Sequence, residues 1–292
     1  MICIFNPEHD LCLANGNRNF VPPTSALLFA DKAASLMQII YPEALCCSLS
    51  QLASLNPQPS SYPICPWGWN LALKTSLLKQ GIPSSLLPSD DTLELWRQLQ
   101  HRSTILPLQP DCYAATSVDE VESLLSLHHN LALKAPWSGS GRGIRWVSST
   151  LSDHDKLWFQ KIVREQRCVI VEPRRQIQAT YALEYCVTDH NLHFVGYSLF
   201  ESSSGVYHHN ILLNDDDIAR RINLPHSLRA HLESWIQLNI VPLYQGPLGV
   251  DFILSPDGTH HITELNLRHT MGLVAHEYLR HNPSAAHSLW RP

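Results

Sequence analysis

Residues 248–269, LGVDFILSPDGTHHITELNLRH, carry two acids, an amide and an arginine at spacings suited to metal-assisted chemistry. Asp257-Gly258 between two alternating apolar runs is a hairpin signal. A turn centred there sets Asp251 opposite Glu264 on the neighbouring strand, with Cβ atoms about 5 Å apart. Period two along the second strand puts Ile262, Glu264, Asn266 and Arg268 on one face. Like charges directly opposite destabilise a sheet unless something neutralises them. Oxygen donors from Asp251, Glu264 and Asn266 suit one or two Mg²⁺ ions, which keep several waters and complete their octahedra with phosphate oxygens. Arg268, one pleat on, would grip a terminal phosphate as a fork of donors. The plainer alternative is a solvent-facing polar strand face on which two acids meet by chance.

Residues 131–146, LALKAPWSGSGRGIRW, hold a lysine followed by three glycines spaced by single residues. Gly139, Gly141 and Gly143 permit positive φ and close approach of backbone N–H groups to phosphate oxygens. No Walker lysine follows, and the flanks LALKA and IRWVSS alternate like strands on both sides, which does not fit a strand-to-helix dinucleotide loop. The glycines therefore form a flap between two strands. Lys134 lies in an apolar strand on the face opposite Leu131 and Leu133, where an unpaired buried ammonium is costly. It needs an anion, either a carboxylate or a phosphate under the flap. Arg142 at the flap tip is either solvated or a further cation on closure.

The elements that must position these residues alternate along the chain. ICIF, ALCCSL and YPICPW read as strands. They are separated by SALLFADKAASLMQII, a helix opened by prolines and a Thr24 cap, and by NLALKTSLLKQ, a helix stopped by Gly81. Strands alternating with helices predict a small parallel α/β sheet with ligands beyond the strands' carboxyl ends. NPEHD (6–10) and PWGW (66–69) then share one rim. A polar stretch at 84–91 reads as a linker. DTLELWRQLQHRSTILPL reads as helix, CYAAT as strand, and Ser117 with Glu120 as a capping box opening VESLLSLHH. Longer β segments follow the flap, then the helix SLRAHLESWIQL, the acidic hairpin and a last helix near LVAHEYLRH. The second half is dominated by antiparallel sheet.

Composition narrows the partners. The 292 residues are 44% hydrophobic and 16% charged, with 26 acidic and 21 basic residues giving a net charge of −5. This predicts a folded chain with real cores, and without a basic block nucleic acid is not expected as a partner. No basic n-region precedes an apolar run and no stretch approaches 18 uninterrupted apolar residues, so no membrane partner is expected and the chain reads as cytoplasmic. Eight cysteines without a C-x-x-C pair read as mostly buried, reduced thiols. The doublets His128-His129, His208-His209 and His260-His261 lack zinc-ligand spacing.

Taken together, the residues resemble the ATP-grasp superfamily. The resemblance rests on the lysine strand LALK134AP, the flap SGSGRG, the strand and hinge VIVE172P, and a late D-F…E-x-N-x-R formed by Asp251, Glu264, Asn266 and Arg268. It covers residues 90–275. It implies an α/β ATP-grasp fold: a small N-terminal parallel α/β substrate domain (1–89), a central subdomain bearing the flap (90–172), and a C-terminal subdomain bearing the metal-binding hairpin (173–292). It implies ATP and two Mg²⁺ ions, with Mn²⁺ as a substitute. Lys134 would bind phosphates, Ser138, Gly139, Ser140, Gly141, Arg142 and Gly143 would cover them, and the backbone around Glu172 would hold adenine. Asp251, Glu264 and Asn266 would hold the metals, with Arg268 at the transferring phosphoryl, so Arg268, Asn266 and Lys134 are the catalytic candidates. Arg102 is the candidate for the family's earlier basic residue, although it lies closer to the lysine than the family pattern has it. The activity implied is ATP-dependent ligation of a small-molecule or peptide carboxylate to an amine, or to a thiol, through an acyl phosphate. Asn6, Glu8, His9, Arg18, Trp67, Trp69, His208, His209 and His269 are the expected substrate contacts, and pairing of two copies as a homodimer is compatible with the sequence. The alternatives are a small-molecule kinase and a nucleotide-binding regulatory protein without turnover.

Overall fold

Three short apolar runs, β1 (Ile2–Ile4), β2 (Leu45–Cys47) and β3 (Ile64–Pro66), pair in parallel in the order β2-β1-β3 in the computed structural model, which describes residues 1–55, 62–139, 143–203 and 205–291. Ile2 and Ile4 bury one face against Leu73 and Leu77 of α4 (Leu71–Lys79), while Cys3 and Phe5 bury the other. The crossover before β2 departs from the expected single helix. α2 spans Thr24–Ala33, a 3₁₀ turn occupies Ala34–Leu36, and α3 spans Met37–Ile40. Thr24 is its first helical residue, not a cap, so prolines alone set the start. A short helix, α1 (His9–Asn15), follows β1 and ends on Gly16 in the left-handed region.

α5 (Asp90–Leu99) also stops earlier than its sequence suggests, and a 3₁₀ segment from Arg102 to Leu108 follows. His101 caps this segment, its side chain accepting from Ser103 N–H, and Pro107 lies within it.

The second sheet has the order β4-β7-β5-β6, all antiparallel: β4 (Tyr113–Ala115), β5 (Asn130–Lys134), β6 (Ile144–Ser148) and β7 (Val169–Pro173). α6 (Val118–His128) and α7 (Asp153–Gln166) cover one face, each opened by a serine capping box, Ser117 with Glu120 and Ser152 with Asp155. Leu131 and Leu133 point into that core, and Lys134 points to the other face.

The third sheet has the order β12-β11-β8-β9-β10-β13. Its strands are β8 (Ala179–Thr188), β9 (Asn191–Ser203), β10 (Val206–Ile211), β11 (Gly246–Leu254), β12 (His260–Asn266) and β13 (Leu289–Trp290). α8 (Asp215–Ile222) and α9 (His226–Asn239) pack on the apolar face through Ile218, Ile222, Leu232 and Ile236. α8 was not legible as a helix because its sequence, DDDIARRI, offers only two large apolar residues, Ile218 and Ile222. α10 (Met271–His281) leaves β12 through the turn Leu267–Thr270 and reaches back to α3. No helix among the described residues is long and apolar enough to cross a membrane.

Candidate active site

The hairpin β11–β12 decides the site. Asp251 pairs with Glu264, as the sequence suggests, but only because a bulge lies between Asp251 and Phe252. On the turn side Leu254 pairs with His260 and Phe252 with Ile262. The extra residue, Thr263, then shifts the register so that Asp251 meets Glu264 and Gly249 meets Asn266. The same bulge corrects one expectation: Ile262 does not share the face of Glu264 and Asn266 but lies in the apolar core with Leu265 and Leu267.

Sheets two and three and the rim of the parallel sheet enclose a cavity of about 410 Å³. Lys134, Glu172 and Arg102 line one wall, Asp251, Glu264, Asn266 and Arg268 the other, and Asp10 and Trp67 the rim. The glycine segment joins antiparallel neighbours, Lys134 pairing with Ile144 across it. Ala135 N–H donates to Gly143 O at 2.8 Å, closing its base. A Cβ on Gly139 would lie 2.7 Å from the Asp10 carboxylate, so glycine lets the segment sit against the rim. Ser140, Gly141 and Arg142 lie outside the described residues.

The cations of this cavity are held by carboxylates. Lys134 is buried and paired with Glu172 on the adjacent strand, so of the two anions the sequence left open, the carboxylate is present. Cys112 also donates to Glu172 Oε2 at 3.7 Å. Arg102, 8% exposed, donates to Ala135 O at 2.6 Å, Ser138 Oγ at 2.8 Å and Glu264 Oε1 at 2.7 Å. One arginine thus ties the start of the flap to the acid pair, although its spacing from Lys134 made it a weak candidate by sequence. Arg268 Nε and Nη2 donate to the two oxygens of Asp10, each at 3.0 Å. Burial would raise the Asp10 carboxyl, but the Arg268 guanidinium outweighs it and holds it below the usual range.

The acid pair has the chemistry of a divalent-cation site. Burial, then Glu264 opposite and Glu184 nearby, push the Asp251 carboxyl up to about 8. Asn266 Nδ2 donates to Asp251 Oδ2 at 3.1 Å, which leaves the amide oxygen as a donor atom. No group of three or more His, Cys, Asp or Glu residues among those described converges as a closed metal cage. Two carboxylates and an amide oxygen fit Mg²⁺, which takes few protein ligands and shares the rest with water and phosphates.

The rim residues divide differently from expectation. Trp67 lines the cavity, joined by Pro7 and Asp10. Asn6 Nδ2 donates to Gly68 O at 2.9 Å and holds the two rim loops together. His9 is fully buried, within 3.3 Å of both Asn70 and Gln100, and burial lowers its pKa to about 4. Glu8 is buried with Oε2 unpartnered, and burial raises it to about 7. Arg18 pairs with Asp90, Trp69 packs at the N-terminal core, and His269 bonds Trp67 O at 3.1 Å and the Tyr41 hydroxyl at 2.9 Å. His208 meets Ser203 and His209 faces Glu201 on the β9–β10 hairpin. Of the nine expected substrate contacts, Trp67 alone among the described residues lines the cavity. Asp10, the charged NPEHD residue that lines the cavity, was missed because nothing in the sequence pairs it with Arg268.

No family model and no curated protein matches the chain. Solved structures do. D-alanyl-alanine synthetase A from Vibrio cholerae O1 biovar eltor is similar over 96% of this chain and 93% of its own, with 15% identity and a TM-score of 0.54. N5-carboxyaminoimidazole synthetase from Staphylococcus aureus, complexed with ADP, is similar over 92% of this chain and 70% of its own, with 12% identity and a TM-score of 0.53. The biotin carboxylase domain of Hydrogenobacter thermophilus 2-oxoglutarate carboxylase, in complex with magnesium ADP, ADP and bicarbonate, is similar over 79% of this chain, with 14% identity and a TM-score of 0.53. This chain spans 56% of that domain's chain. With a small parallel sheet, two antiparallel sheets and a glycine segment between paired strands, the chain has the ATP-grasp fold.

Proposed function

We propose that this chain is an ATP-dependent ligase that joins a small-molecule or peptide carboxylate to an amine, or to a thiol, through an acyl phosphate. The observation that carries the reading is the convergence of three cations, Lys134, Arg102 and Arg268, with Asp251, Glu264 and Asn266 on a single cavity. The N-terminal unit is assigned as 1–89, the flap-bearing unit as 90–172 and the hairpin-bearing unit as 173–292. ADP in two of the similar structures, one with magnesium, supports the nucleotide and the metal.

Lys134 would exchange Glu172 for phosphate oxygens, and the backbone beyond Glu172 would hold the base. Ser138 and Gly139, with Gly143 at the far end of the flap and Ser140, Gly141 and Arg142 between, would screen the phosphates from water. Arg102, already bonded to both Ser138 and Glu264, would link flap closure to the acid pair. Asp251, Glu264 and Asn266 would hold Mg²⁺, which supplies neutralisation of phosphate oxygens during transfer. Arg268 would donate its fork to the transferring phosphoryl, an electrostatic role that needs no protein nucleophile.

The test is ADP release from Mg-ATP with a panel of carboxylic acids and hydroxylamine, which traps acyl phosphates as hydroxamates. The reading expects hydroxamate formed with ADP. ADP release that yields a stable phosphorylated product and no hydroxamate would instead identify a kinase.

A further inference from the structure

Glu184 has no task in the phosphate and metal arrangement above, yet it lines the same cavity and is 1% exposed. It stands on β8 opposite Gly249, while its strand neighbour Ala182 stands opposite Asp251, so it lies one step beyond the acid pair toward Arg268 and the start of α10. Its Oε1 accepts from Ser198 Oγ at 3.0 Å and its Oε2 from Thr270 Oγ1 at 2.8 Å. Two glycines make room for it. A Cβ on Gly249 would lie 3.0 Å from Oε2, and one on Gly272 would overlap Oε1. A carboxylate has about four acceptor positions, so two of its four remain open.

Neither donor is a cation. Asp10 is committed to Arg268 by two bonds, and Arg102 to Glu264. Arg268 and His276 act on Glu184 only from a distance, and among the described residues no cation bonds either of its oxygens, so with Asp251 and Glu264 reserved for metal its open acceptor positions are left for a cationic group. The cavity that Glu184 lines also has an apolar portion. Pro7, Phe29, Trp67 and Met271 line it, and Phe29 stays 39% exposed with its ring edge-on to Phe5. Aromatic faces and a carboxylate together suit an ammonium on an apolar skeleton.

We propose that Glu184 receives the amine substrate, and that this substrate is a primary ammonium carried on an aliphatic or aromatic skeleton without a second anionic group. The inference rests on the ligase reading for its meaning, but its test does not.

2-Phenylethylamine and phenylacetate, matched in skeleton and opposite in charge, are titrated by calorimetry into the full chain, with and without Mg²⁺ and a non-hydrolysable ATP analogue. The amine is expected to bind and phenylacetate not to bind at this position. Glu184→Gln is expected to weaken the amine by about tenfold or more while keeping the nucleotide response. Amine binding that ignores Glu184→Gln, or no amine binding at all, would overturn the proposal. Should Glu184→Gln not fold, Phe29→Ala, at the cavity mouth, is expected to weaken the amine several-fold, and unchanged affinity would overturn it. Glu184-dependent amine binding with no response to Mg-nucleotide would leave the amine site standing and remove the ligase reading instead.

Discussion

Asp10 and Arg268, 258 positions apart, are joined by two hydrogen bonds of 3.0 Å each. The pair ties the rim of the N-terminal parallel sheet to the segment that leaves β12, the strand bearing Glu264. Arg268 Nη1 completes the fork on His269 O at 3.0 Å. Substrate or phosphate can use this guanidinium only by sharing it with Asp10 or displacing it.

Asp10→Ala is therefore expected to lower stability by about 1.5–3 kcal/mol, the range for hydrogen bonds to charged groups, since the pair is only partly buried. Urea denaturation measures it. An unchanged midpoint would mean that the rim is held by other contacts.

Lys134 and Glu172 form a pair that is buried on both sides. Lys134→Met leaves the Glu172 carboxylate unpaired and is expected to cost about 3–5 kcal/mol. The double variant Lys134→Met, Glu172→Leu is expected to recover most of that stability and still fail to bind Mg-ATP. Nucleotide binding by the double variant would remove Lys134 from the site.

Asp251 titrates at about 8 in the folded chain, far above its unfolded value. A raised folded pKa favours the protonated form, so its contribution to stability is present below about pH 4 and is lost as pH rises through about 8. Asp251→Asn should flatten the pH dependence of the metal-free melting temperature across that window. Mg²⁺ needs the charged carboxylate, so its stabilising effect should grow from pH 6 to pH 8 in the wild-type chain and vanish in the variant. Parallel pH curves for both proteins would contradict the assignment.

Gly272 lies in the first turn of α10, where alanine would ordinarily gain about 0.5–1 kcal/mol. Here its Cβ would meet Glu184 and Ser198 Oγ. Gly272→Ala is expected to destabilise by about 1–3 kcal/mol, as overpacking does. A stabilised variant would mean that the Glu184 cradle yields freely.

Much of the site was legible because sheet geometry is periodic. Alternation fixed the face of Lys134, whereas the Asp257-Gly258 turn alone starts the hairpin one register off and the pairing of Asp251 with Glu264 is reached only through the bulge. The bulge at Thr263 was not legible, since nothing in HITELN distinguishes a bulged residue from a regular one, and so Ile262 was assigned to the wrong face. Asp10 and Phe29 were missed, and the place of Glu184 beside Thr270 and Ser198 was not seen, for another reason. They share the cavity through contacts between segments far apart in sequence, and only tertiary packing brings the first turn of α1, a central strand and a crossover helix together. Helix ends failed where the chain changed to 3₁₀ geometry after Ala33 and after His101.

The central claim, that this cavity is a magnesium-dependent nucleotide site, is tested most directly by calorimetric titration of ADP with and without Mg²⁺. Binding is expected to tighten about tenfold or more with the metal, and to lose that gain in the Asp251→Asn, Glu264→Gln double variant. Equal affinities with and without Mg²⁺, or a metal effect that survives the double variant, would contradict it.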